Sequence, residues 1–176
     1  YLRNRGIQIQ CSDQIRFHGK ILNKESNKLL PTLLFRVSKT PNNDVTAIHR
    51  IYLDPSGKKA DLINPKMALG PIKGAGIWFG EVKDKLYVAE GPENALSLLC
   101  MGKSPVVSTI NATNFSNLSI PDHVKIVVLC PDNDKAGIYS AKKAMKAYSK
   151  KGRKIIIKLP RAGKDWNDIL LERNNG

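Results

Sequence analysis

From Leu86 onward the chain alternates short apolar runs with amphipathic stretches, and that alternation restricts the fold more than any other feature. LYVAE (86–90) is a short apolar strand, and PENALSLLCMG (92–102) follows as a helix, with Pro92 near its first position and Gly102 to stop it. PVVST (105–109) is the next strand, and NATNFSNL (111–118) is a polar connection. VKIVVLC (124–130) is apolar almost throughout, as expected of a strand buried on both faces in the middle of a parallel sheet. The spacing predicts a helix over about 136–151, with Ile138, Ala141, Met145 and Tyr148 on one stripe, lysines opposite, and Gly152 closing it. KIIIKL (154–159) then reads as a strand and DWNDILLER (165–173) as a last helix. Strands and helices in turn, joined by short links, imply a parallel sheet with right-handed crossovers and helices on its flanks.

The first half has another rhythm. LPTLLFRV (30–37) and VTAIHRIYL (45–53) are rich in apolar and β-branched residues, with the turn cluster PNND between them. DPSG (54–57) is a turn, and LGPIKGAGIWFG (69–80) reads as a Gly-punctuated loop entering a short strand near Ile77–Phe79. The expected organisation is a smaller β-rich, α+β lobe over residues 1–85 and an α/β domain over residues 86–176.

Composition narrows the function classes. With 176 residues, 41% of them hydrophobic, the chain can bury a core and is too apolar for wholesale disorder. No apolar run approaches the roughly 18–20 residues that cross a bilayer, so a membrane protein is excluded as a first reading. The absence of a basic-then-apolar leader and the start at Tyr1 rather than Met suggest a piece of something longer. Three cysteines (Cys11, Cys100, Cys130) form neither a disulfide framework nor a CxxC pair; Cys100 and Cys130 lie in apolar runs as small core residues would. The three histidines are isolated, and a reducing cytoplasm is the default compartment. The formal net charge is +14, and between Lys135 and Lys164 stand eleven Lys/Arg and no acid. Such a face suits a phosphate backbone, or simply keeps a basic protein soluble.

The acids are placed more tellingly than they are numbered. In an open parallel sheet, ligands bind at the carboxyl ends of the strands. Glu90 ends one strand, and Asp132 and Asp134 lie just past the long strand 124–130, where residues i and i+2 of extended chain point to one side. With Glu93, Asp165 and Asp168 they make six acids at strand ends or helix starts. Mutually repelling carboxylates with hard oxygen donors suit Mg²⁺ or Mn²⁺. Each also has a plainer role: Asp134 as helix N-cap, Glu93 as a first-turn acid, Asp165 and Asp168 in the same service for the last helix.

VAEGPENALS (88–97) followed by VVLCPDNDKAG (127–137) resembles the Toprim domain shared by primases, type IA and II topoisomerases and some nucleases. The wording resembles most the Toprim domains of plasmid, prophage and satellite-phage primases, often fused to helicases. IRFH (15–18), LPTLLFRV (30–37), AIHRIYLDPSGKKA (47–60), LGPIKGAGIWFG (69–80) and GKDWNDIL (163–170) resemble that branch too, so the likeness covers nearly the whole chain. It implies a Toprim-like Rossmannoid sheet and metal-dependent phosphodiester chemistry on nucleic acid. Glu90 would be the general acid or base, Asp132 and Asp134 would hold Mg²⁺ (or Mn²⁺), and Asp168 and Asp165 would supply a further ligand, with Glu93 and Asn94 in support. Asn94 departs from the family, since bacterial replicative primases carry an aspartate four residues after the glutamate. The implied partners are a single-stranded DNA template, nucleoside triphosphates, and a zinc-binding module or helicase in the full-length protein.

Lys135, Lys142, Lys143, Lys146 and Lys150 on the helix after the DxD would extend positive surface along which a strand could run, and Arg50 and Lys73 are further candidates for phosphate, as are Lys58 and Lys59. GKS (102–104) is not a nucleotide loop, because Ser97 stands where its first glycine belongs. The asparagine-rich loop 111–117 is expected to be solvated. Three functions stay in competition: a primase core making short RNA primers, a Toprim-type nuclease using the same metal, and a non-catalytic DNA-binding or recruitment module.

Overall fold

A computed structural model describes residues 1–10, 12–161 and 164–175; Cys11 and the Gly163 that opens the last motif lie outside the described residues. The chain folds into two sheets. Strands β1 (Ile15–Asn23), β2 (Lys28–Val37), β3 (Ala47–Tyr52) and β4 (Lys66–Leu69) form an antiparallel meander in sequence order. The second sheet runs β5 (Ile77–Phe79), β7 (Val106–Ser108), β6 (Lys85–Ala89), β8 (Ile126–Cys130), β9 (Lys154–Ile157). Its last four members are mutually parallel, and β5 pairs antiparallel with β7 at one edge. This is the mixed α/β architecture the alternation implies.

Strands β1 and β4 carry no strong sequence signal. In β1 (IRFHGKILN), Gly19 interrupts the alternation of apolar and polar residues and the register shifts between His18 and Ile21, as at a bulge. In β4, only four residues follow Pro65. The helices α1 (Pro92–Cys100), α2 (Lys135–Ser149) and α3 (Trp166–Asn175) match the expected ones to within a turn.

Alternation along β6 distributes the core. Tyr87 and Ala89 face one side with Leu96, Leu98 and Leu170, joined by Phe35, Val37 and Ile51 of the first sheet. Leu86 and Val88 face the other side with Val127, Leu129, Ala141, Ala144 and Tyr148. The second sheet is thus covered on both faces, and α2 turns its lysines outward. Cys130 is fully buried as expected, but Cys100 is only half-buried at the end of α1, its Sγ donating to the Gln8 carbonyl at 3.4 Å. Among the described residues no helix is long and apolar enough to cross a membrane.

Candidate active site

The carboxyl ends of β6 and β8 open into a cavity of about 230 Å³. It is lined by the acids Glu90, Glu93, Asp132 and Asp165 and by the bases Arg5, Lys59 and Lys66. Glu90 follows directly on β6, where Gly91 and Pro92 turn the chain into α1. Burial, then the charges of Asp132 and Asp134, push its carboxyl up to about 7, against the pull of the Ala112 backbone N–H and Lys66. Asp132 follows β8 after Pro131. Burial first, then Asp165 and Asp134, raise it to about 6, opposed by a hydrogen bond from Asn94 and by Lys66. After burial, the charges of Asp132 and Asp134 disfavour that of Glu90, and the charges of Asp165 and Asp134 disfavour that of Asp132, so a cation among these acids would relieve the repulsion.

The remaining acids have other partners. Asp134 is exposed and caps α2, its Oδ1 accepting the Gly137 N–H at 2.7 Å. The α2 turn packs closely here, since a Cβ on Gly137 would lie 2.4 Å from the Asp132 carbonyl oxygen. Asp165 and Asp168 cap α3 reciprocally: Asp168 N–H donates to Asp165 Oδ1 at 2.8 Å, and Asp165 N–H to Asp168 Oδ2 at 3.1 Å. Asp165 also lines the cavity, whereas Asp168 lies in a neighbouring depression with Tyr1 and Lys58. Glu93 is buried and paired with Lys66 at 2.6 Å, and it accepts the Tyr1 hydroxyl at 2.6 Å. Burial works to raise it, but Lys66 and Tyr1 outweigh burial and hold it down at about 2. Asn94 donates from Nδ2 to Asp132 Oδ1 at 2.6 Å.

Of the basic candidates, Lys135, Lys142, Lys143, Lys146 and Lys150 all lie exposed along α2, outside the cavity. Lys73 is exposed in the loop before β5, and Arg50 sits over the Tyr52 ring at 5.6 Å; neither lines the cavity. Lys66 and Arg5 are cavity residues that no motif marks, because they arrive from the first sheet and from the N-terminal turn (Arg3–Arg5). The asparagine loop departs from expectation. Asn114 is buried, accepts the Gly74 N–H, and donates to the carbonyls of Ile72, Ala75 and Thr109, so it fastens two loops together. Ile110, also on the cavity wall, has φ +75°, a strained conformation for a β-branched residue. Its N–H bonds Ser108 Oγ at 3.1 Å, and that hydroxyl donates to the Glu90 carbonyl at 2.9 Å, so the strained turn is tied to the Glu90 backbone.

Carboxylates at the carboxyl edge of a parallel sheet, with basic side chains in the same cavity, can hold a divalent cation beside phosphate oxygens. The Toprim domain family matches residues 85–176, and the chain belongs to that family. Residues 1–79 match a domain of unknown function, DUF7146. No curated protein matches. The fold is similar to a DNA primase domain from Pseudomonas aeruginosa (17% identity, TM-score 0.58, covering 87% of this chain and 52% of that one). It is also similar to the structure of the DnaG catalytic core (17%, 0.64, 98% and 67%) and to the RNA polymerase domain of Mycobacterium tuberculosis primase DnaG in complex with double-stranded DNA (14%, 0.56, 88% and 54%). The chain therefore spans about half the length of the first of these structures.

Proposed function

We propose that the chain is the catalytic core of a DNA primase of the plasmid, prophage and satellite-phage branch, joining ribonucleotides into short RNA primers on single-stranded DNA. The observation that carries this is the juxtaposition in one cavity of two carboxyls that form no ion pair among the described residues, Glu90 and Asp132, with the side chains of Arg5, Lys59 and Lys66. The domain reading that goes with it is a primase-type lobe over residues 1–85 and the Toprim catalytic domain over 86–176. The sheet that holds Glu90 and Asp132 gives support, although β5, from the earlier segment, adds an edge strand to it.

The donors fit Mg²⁺ or Mn²⁺. They are hard oxygens on acids, Glu90, Asp132 and Asp165, that line one cavity. Among the described residues no three His, Cys, Asp or Glu side chains converge closely enough to hold a metal ion by themselves, so the ion would have to take its remaining ligands from water and substrate phosphates. Asp132 would hold it, with Asp165 and Asp134 nearby and Asp168 farther out. When bound, the ion neutralises phosphoryl oxygens and aligns the displacement. Glu90, poised near neutrality, takes the proton from the attacking hydroxyl. Arg5, Lys59 and Lys66 attract and orient the triphosphate, and the lysines of α2, with Lys73 and Arg50 as further contacts, guide the template. A zinc-binding module or helicase would complete the full-length protein, which would work in the cytoplasm.

The test is one gel. The chain is incubated with single-stranded DNA, labelled ribonucleotides and Mn²⁺ or Mg²⁺, beside Asp132→Asn. Short products that disappear in the variant are expected; cleavage of the DNA instead of products would move the assignment to a nuclease.

A further inference from the structure

Asn94 stands in the first turn of α1, 5% exposed, with its side chain bonded at both ends. Its Nδ2 donates to Asp132 Oδ1 at 2.6 Å, and its Oδ1 accepts the backbone N–H of Asn167 at 3.2 Å. The second bond fixes the first: an amide oxygen occupied by an N–H donor leaves the amino group to face the carboxylate. Asn167 is itself immobilised at 3% exposure. Its Nδ2 donates to the Arg5 carbonyl at 2.8 Å and to Ser97 Oγ at 3.0 Å, while its Oδ1 accepts Arg5 Nη1 at 2.8 Å. Among the described residues, Asp132 Oδ2 accepts no hydrogen bond. An ionised aspartate at position 94 could donate nothing and would set a second charge against Asp132.

We infer that Asn94 is a positioning residue whose amide, oriented by Asn167, holds Asp132 Oδ1 so that Oδ2 is the oxygen offered to a divalent cation. This rests on the reading of Asp132 as the residue that holds the cation. At this position the chain has an orienting donor in place of a further anionic ligand. Partners that fix a ligand in this way typically change metal affinity by roughly 10–100-fold.

The experiment is calorimetric titration with Mn²⁺ alone, without nucleotide or DNA. Asn94→Ala should bind Mn²⁺ roughly tenfold more weakly than the unaltered chain. Added to Asp132→Asn, the same change should alter affinity by less than about twofold, because the residue it orients is gone. Asn94→Leu, which keeps the volume but neither hydrogen bond, replaces the alanine variant if that fails to fold. Unchanged Mn²⁺ affinity with a lowered melting temperature would make Asn94 a packing residue and overturn the inference alone, as would an equal loss in the Asp132→Asn background. An unaltered chain that binds no Mn²⁺ would overturn the metal reading of Asp132 and this inference with it.

Discussion

The loops after β6 and β8 and the helix α1 treat their acids in opposite ways. On the loops after β6 and β8, Glu90 and Asp132 form no ion pair among the described residues, and each is pushed up toward neutrality. On α1, Glu93 is instead paired with Lys66 of β4 and accepts the Tyr1 hydroxyl. Glu90 and Glu93 lie within one helical turn, yet one is held near 7 and the other near 2. The compensated acid, Glu93, belongs to the frame; the uncompensated acids, Glu90 and Asp132, are what a ligand completes.

The sharpest way to break this contrast is Asp132→Asn. It should abolish metal-dependent nucleotide joining while leaving the metal-free melting temperature unchanged or higher, since a repulsion is removed. A large loss of thermal stability would reassign Asp132 to the frame. Glu93→Ala should do the reverse, removing the partner of a partly buried lysine at a cost of about 2 kcal/mol in urea denaturation, discounted for the exposure of Lys66. Because Glu93 is held below its ordinary 4.5, its stabilisation is present above that pH and fades as pH falls toward 2. The difference between the two proteins should therefore vanish there.

Glu90 gives the opposite sign. Its folded value near 7 exceeds its ordinary 4.5, so the folded state holds a proton that the unfolded chain releases. Metal-free stability should fall as pH rises between those values. Melting temperatures of Glu90→Gln across that range should show a shallower fall, and an identical slope would place the titrating group elsewhere. The smallest effect is expected on α2. Neutralising Lys142, Lys146 and Lys150 together should weaken single-strand binding and lower the slope of log affinity against log salt by about 2. An unchanged slope would make that helix an ordinary solvated face.

The parallel sheet was legible because its strands announce themselves: IVVLC is apolar at every position, and Gly102 and Gly152 stop two helices. Glu90 and Asp132 were legible from their place just past strand ends. Lys66 and Arg5 were not, because what makes them cavity residues is contact across the fold, with Glu93 and Asn167, and neither carries a local pattern. The same holds for Asn114, whose sequence neighbourhood is polar and whose side chain is nevertheless enclosed by three loop carbonyls. Asn94 read only as a departure from the family's aspartate because its hydrogen-bonding partners come from α3 and from the loop after β8, far away in the chain.

Ser38 and Gly76 exchange backbone hydrogen bonds at 3.0 and 2.9 Å, Trp78 Nε1 donates to the Ser38 carbonyl at 2.9 Å, and Phe35, Val37 and Ile51 share one core with Ile77, Leu96 and Leu98. Neither sheet keeps a full apolar interior without the other, so denaturation should be one cooperative event rather than two. The same stitching removes a hinge. The acids on the loops after β6 and β8 and Lys66 of the first sheet stand at a separation set by shared packing, and accommodation of differently sized occupants falls to side chains and loops, not to the swinging of one half against the other.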